Sequence, residues 1–215
     1  MCLSLAHGRM IEILLLVHIT AGLVALICAL MAVSSKKGSN FHRKVGRIYA
    51  LGMATIGVTA IPMAIISEKM FLFLVALFSS YLVFAGWRFA VNRSGRPSKL
   101  DWFAVSIMLL TALIMSIGAY VVSTEGDDMW VTLAVFAIIP AAIGLADVKS
   151  HISRRTIGNK RISRHLTNML AGTIATLTAA LVTNVSTDPV WIAWLVPTVL
   201  ITPVIIYWNR RVLKG

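Results

Sequence analysis

The sequence predicts an all-α fold, a polytopic membrane bundle of seven transmembrane helices with its N-terminus outside and its C-terminus cytoplasmic. Three observations carry that expectation. Of 215 residues, 58% are hydrophobic and only 13% charged, with a mean hydropathy of +0.85; a soluble domain carries about 25% charged residues. The apolar residues fall into seven runs, each close to the roughly 20 residues that a helix needs to cross hydrocarbon. Finally, the charge of the connections alternates from one crossing to the next. All 20 lysines and arginines except Arg9 and Lys69 gather on one side, and such residues are retained in the cytoplasm.

The first run, Met10–Val33, follows Arg9. It is longer than the apolar core of a secretory signal, about 7–15 residues, and so reads as an uncleaved first span. It carries His18 and, beyond it, Gly22, Ala25 and Ala29. The second, Ile48–Ile66, follows a basic stretch with Lys36, Lys37, Arg43, Lys44 and Arg47. It brings Gly46, Ala50, Gly57, Ala60 and Ala64 at helical spacing. The third, Phe71–Ala90, contains Tyr81 and ends near Arg88, and Arg93, Arg96 and Lys99 lead into the fourth, Trp102–Val122. Acidic residues Glu125, Asp127 and Asp128 precede the fifth, Trp130–Val148, which closes on Asp147.

Lys149, Arg154, Arg155, Lys160, Arg161 and Arg164 then lead into the sixth, Leu166–Asn184. Asp188 stands before the seventh, Val190–Trp208, which Arg210, Arg211 and Lys214 follow. Backbone amides in lipid must be satisfied within their own segment, so each run is expected to be a helix. Trp87, Trp102, Trp130, Trp191 and Trp208 sit near span ends as interfacial anchors. Small residues let membrane helices approach closely, so the first, second and sixth spans are expected to form the tight interior. The connections are too short to fold alone, and residues 1–215 are expected to form one domain.

Composition also narrows the chemistry. The net charge of +12 lies in connections between apolar runs, where the anionic inner leaflet of a bilayer explains it; no nucleic-acid partner is expected. The implied location is the bacterial cytoplasmic (inner) membrane. Cys2 and Cys28 belong to no CxxC motif, and a bridge between them is not expected. There is no Walker loop, nucleophile elbow, HExxH or paired-carboxylate motif to support hydrolysis.

What remains are polar groups at membrane level. His18 lies about 12 Å below the outer boundary, a depth at which an ionisable group is a functional-site hypothesis by default. Its alternative role is a neutral imidazole bonded to a neighbouring helix, with Thr59 and Thr176 at matching depth. The sixth span carries His165, Asn168, Gly172, Thr176 and Thr183 along one stripe. His42, His151 and His165 lie together on the basic side, and His7 precedes the first span. Imidazole is the commonest transition-metal ligand and a haem axial ligand, so His42 and His165 are candidate haem b or metal ligands, with His151 a third candidate for a metal. His18, about 22 Å away along the normal, cannot share that site. Arg88 and Asp147, at similar depth, could pair, or each could extend to the headgroups.

The segments His18–Ile19–Thr20–Ala21–Gly22, His42–Arg43 with Gly46–Arg47–Ile48–Tyr49, and Arg164–His165 with Met169 resemble a family of bacterial membrane proteins, domain of unknown function 2306. That family's pattern has a histidine in the first helix, a histidine–arginine opening the second, and a late arginine–histidine. It often has a tryptophan soon after the late histidine, where this chain has Leu166–Thr167–Asn168–Met169. The resemblance implies the topology and singles out three histidines; it implies no activity.

Three functional readings follow from the residues. One is a redox- or metal-associated protein with a site at His42 and His165, and with His18 handling protons or touching a quinone or other small ligand. Another is a small transporter or channel that uses His18 as a protonatable gate with the polar stripe through Asn168 and Thr176. The third is a scaffold or accessory subunit in which the histidines hold helices together.

Overall fold

A computed structural model describes residues 2–214, with side chains from Gly8 onward; the expectations for Cys2 and His7 fall outside the described side chains. The chain is all helical: α1 Cys2–Ser34, α2 Asn40–Ile66, α3 Met70–Val91, α4 Lys99–Thr124, α5 Met129–Ser153, α6 Gly158–Asn184 and α7 Trp191–Lys214. Among the described residues, seven helices are long and apolar enough to cross a membrane.

The helices run past the apolar segments, chiefly at their basic ends. α2 begins at Asn40 and not Ile48, and α6 at Gly158 and not Leu166. Hydropathy marks only the part of a helix that fits hydrocarbon, whereas lysine and arginine are good helix formers. Ser39 makes the early start of α2 favourable: its side chain caps the helix by accepting from the His42 amide at 3.1 Å. The basic residues expected in loops are therefore mostly helical, and the connectors shrink to residues 35–39, 92–98 and 154–157.

The chain divides into two compact units, Met1–Ser80 and Tyr81–Gly215, with the division falling inside α3. In the first unit, α1 packs along α2 through small residues. Ala25, Cys28 and Ala29 are buried, one helical stripe of small residues on α1. Gly52 is the close approach: a Cβ there would lie 3.2 Å from the Ala21 carbonyl and 3.3 Å from the Ala25 Cβ. Gly22 and Gly46, expected at this contact, have no neighbour within 4 Å of such a Cβ. Gly57 lies against the Ser80 hydroxyl, which would have to turn aside for a Cβ there.

The second unit joins the last turns of α3 to α4, α5, α6 and α7, with α4 against α5 and α6 against α7. Gly144 admits Leu109 between α5 and α4, and Gly86 brings α3 onto the backbone of α6 at Met169. Asn209 of α7 donates to Thr167 at 2.7 Å and accepts from Ser163 at 2.8 Å, both on α6. These contacts set the depth and rotation of the polar residues described next.

Candidate functional site

In the first unit, His18 Nδ1 lies 2.9 Å from the Thr59 hydroxyl. That hydroxyl donates to the carbonyls of Thr55 and Ile56, at 2.8 and 3.0 Å. Its proton is thus committed to its own helix, so the imidazole is the donor and α1 is tied to α2. His42 does similar work at the other end of the pair. Its Nδ1 donates to the Ala32 carbonyl at 3.1 Å, with the Ser35 hydroxyl at 3.3 Å, satisfying a carbonyl that the end of α1 leaves without an amide. Lys37 also donates to Ala32, Val33 and Ser35 carbonyls, and its partial burial pushes the ammonium pKa down.

The second unit holds a denser polar network. Asp147, on α5, is 0% exposed. Its Oδ2 accepts from the Tyr81 hydroxyl at 2.8 Å, and its Oδ1 from Arg164 Nε at 2.8 Å and Nη2 at 2.5 Å. Arg164 also donates to the Ile143 carbonyl at 3.1 Å and lies 5.9 Å from the centre of the Phe89 ring. Removing one partner of such a buried pair costs about 3–5 kcal/mol, because the remaining charge stays in a medium that cannot solvate it.

A second pair adjoins the first. Arg88 holds Asp101 in a fork, Nε to Oδ1 at 2.6 Å and Nη2 to Oδ2 at 2.8 Å. Asp101 is also the reciprocal half of the cap on α4: it accepts from the Ser98 amide and hydroxyl, each at 2.7 Å, while Ser98 Oγ accepts from the Asp101 amide at 3.3 Å. Neither alternative for Arg88 and Asp147, pairing with each other or extending to the headgroups, is what the structure has: each belongs to a separate pair. Asp101 lies closer along the chain to Arg88 and is fixed by its cap, whereas Arg164 enters from α6 at the level of Asp147.

Between the pairs sits His151, one turn after Asp147. Its ring stacks on Phe89 at 5.9 Å and 21° and meets Trp102 edge-on at 5.4 Å. Trp102 thus packs against a buried histidine in addition to lying near the end of its span. A cavity of about 20 Å³ opens here, lined by Tyr81, Arg88, Asp101, Ser150, His151 and Thr156 among others. That volume holds a water molecule and nothing larger than a few atoms.

The remaining sequence candidates are placed differently. His165 Nδ1 donates to the Gly86 carbonyl at 2.9 Å, holding α6 to α3. Arg161, one turn earlier, donates to the Phe89 carbonyl at 2.8 Å and to that of Ala90, closing the end of α3. Asn168 is buried with its amide nitrogen on the Arg164 carbonyl at 3.0 Å. Of the expected stripe, Asn168 and Gly172 lie on the buried face of α6, Thr176 is half-buried and Thr183 is exposed. The buried face of α6 runs through Asn168, Ala171, Gly172, Ala175 and Thr178, while Thr176 and Thr183 donate to carbonyls of their own helix. Among the described residues no three histidine, cysteine or carboxylate side chains converge to hold a metal ion.

Sequence reasoning missed Arg164 and Asp101 as site residues. Asp101 had a signal, since Ser98-x-x-Asp101 before an apolar run is a capping box. Arg164 had only its spacing, one turn before Asn168 on the same face. Comparison of the chain with protein-family models, with curated proteins and with solved structures finds no match.

Proposed function

We propose that this multi-pass membrane protein moves protons, alone or coupled to a small solute, through a centre formed by Asp147 and His151 in its second unit. One observation carries the reading: a wholly buried carboxylate on a membrane helix, held by Tyr81 and Arg164, one turn from a histidine that lines a water-sized cavity. Charged groups inside a bilayer are costly, and they mark ion pathways and proton relays when they persist there. Asp147 lies behind the cavity wall, joined to it by Tyr81, which lines the cavity with His151 and donates to the carboxylate; a proton would pass between Asp147 and His151 by way of that hydroxyl and water in the cavity. Tyr81 and Arg164 position the carboxylate and keep its charge compensated. The basic ends of the helices support a reading in which this centre faces the cytoplasm of a bacterial inner membrane, with the N-terminus outside.

The test uses the full chain in liposomes carrying a trapped pH dye. His151→Phe keeps an aromatic ring against Phe89 and Trp102 but carries no exchangeable proton. Proton flux is expected to fall at least tenfold, with the melting temperature within a few degrees of the parent. Asp147→Asn, nearly isosteric and uncharged, is expected to abolish flux too, but with a lowered melting temperature, because it leaves Arg164 without its counter-ion. Unchanged flux in a folded His151→Phe protein would sink the proposal.

The redox reading takes His42 and His165 each as a candidate haem or metal ligand. A reduced-minus-oxidised spectrum of the purified protein decides it: a haem band lost in both His42→Ala and His165→Ala supports that site, and no band in the parent ends it. For His18, the bond to Thr59 supports a helix-linking role over a gate.

A further inference from the structure

The cavity beside Asp101 reaches the two connectors on the basic side of the second unit. Asn92, Gly95 and Pro97 of one and Thr156 of the other line it, and the connectors meet, since a Cβ on Gly95 would stand 3.0 Å from the Ile157 side chain. Each connector carries two arginines, Arg93 and Arg96 in one and Arg154 and Arg155 in the other. All four are exposed, and neither connector holds an acid. A cleft bordered by charge of one sign concentrates ions of the other.

Inside, two groups have hydrogen-bonding capacity that the protein leaves unused. His151 is 9% exposed and held by Phe89 and Trp102, and neither ring nitrogen bonds to a described residue. Arg88 donates to Asp101 through Nε and Nη2, while its Nη1 donates to no described residue. A guanidinium offers donors only. The carboxylate in the cavity wall is already engaged, because Asp101 accepts from Arg88 and Ser98 through its two oxygens. With the imidazole protonated, both unused groups are positively charged donors, which suits an anion and repels a cation.

Charge decides what enters with it. The charged groups that act on His151 are Asp147 on its own helix, Asp101 on α4, Arg164 on α6 and Arg88 on α3. They form two neutral pairs, so an anion entering alone would lack a counter-charge, which is costly away from water. A proton on His151 supplies one. Size narrows the class: the space is about 20 Å³, and among common anions only a halide approaches a water molecule in size.

We infer that the cavity binds chloride together with a proton, with Arg88 Nη1 and the protonated His151 ring as the donors. Its transport role, as the solute coupled to the proton, rests on the proton-transfer reading; binding itself does not.

Chloride line broadening in NMR tests binding, on the purified full chain in lipid nanodiscs with gluconate holding the ionic strength constant. Excess linewidth is expected to be at least fivefold greater at about pH 5.5 than at about pH 8.5, the range in which an imidazole changes charge. His151→Phe is expected to remove it. Arg88→Lys, which keeps a charge beside Asp101 but lacks Nη1, is expected to reduce it at least fivefold, and an unchanged linewidth there would remove Arg88 from the site. Excess linewidth absent from the parent, equal at both pH values or retained in a folded His151→Phe protein would overturn the site, the last two being the mark of chloride on exposed arginines. Proton flux in liposomes tests the transport role: chloride in place of gluconate is expected to raise it at least fivefold. Equal flux in the two anions, with binding intact, would overturn coupling and leave the site and the Asp147 centre standing. A parent without proton flux in either anion would overturn the proton-transfer reading, and the linewidths alone would then decide the site.

Discussion

Two carboxylates in the second unit have similar burial and different work. Asp101 accepts from Ser98 and Arg88 through both oxygens, so its contacts are those of a helix cap and an interhelical clamp. Asp147 has no capping duty and sits one turn from His151. Asp101→Asn is accordingly expected to lower the melting temperature while leaving flux per folded molecule within twofold, where Asp147→Asn abolishes it. Tyr81→Phe removes one donor to Asp147 and is expected to cost about 1–3 kcal/mol in a denaturation series, with flux reduced but present. Asp147 and Tyr81 were legible in the sequence as polar groups at membrane depth, but their grouping was not. Hydropathy gives depth along a helix and leaves rotation about it open, so shared depth suggested Arg88 as a partner for Asp147 and gave no sign of Arg164. The structure decides by committing Arg88 to Asp101.

At the scale of the helix, Gly86 is the position on which the candidate site most depends. A Cβ there would stand 3.0 Å from the Met169 Cγ and 3.2 Å from the Met169 amide nitrogen. The amide belongs to a helix backbone and cannot give way as a side chain can. Gly86→Ala is therefore expected to push α6 from α3, loosen the His165–Gly86 bond and destabilise the protein by about 1–3 kcal/mol, read as a fall in melting temperature. Small residues were legible as packing positions, yet the one that admits α1 to α2 is Gly52, not Gly22 or Gly46. Spacing identifies a stripe without saying which stripe meets a partner. The polar stripe of α6 shows the same limit. Thr183 is exposed and donates to its own helix, while Thr178, two residues from the half-buried Thr176, is enclosed.

For the molecule as a whole, helix number and type were legible because lipid permits so few alternatives for an apolar run of this length. The early starts of α2 and α6 were not, since the residues that extend them are charged. The basic residues still mark one set of helix ends, and they carry a testable consequence: reporter fusions at the two termini are expected in opposite compartments, the C-terminal one cytoplasmic. Reporters found together would remove the sidedness proposed for the Asp147 cluster.

The two ion pairs also bear on how such a chain enters lipid during synthesis. Arg88 and Asp101 are 13 residues apart and Asp147 and Arg164 are 17 apart, whereas Tyr81 reaches Asp147 across 66. Each acid thus finds its counter-ion within a single helical hairpin, α3–α4 or α5–α6, and can be neutralised before later segments leave the ribosome. Only the tyrosine must wait for the hairpins to dock, so assembly of the centre would register the arrival of the last pieces and not their insertion.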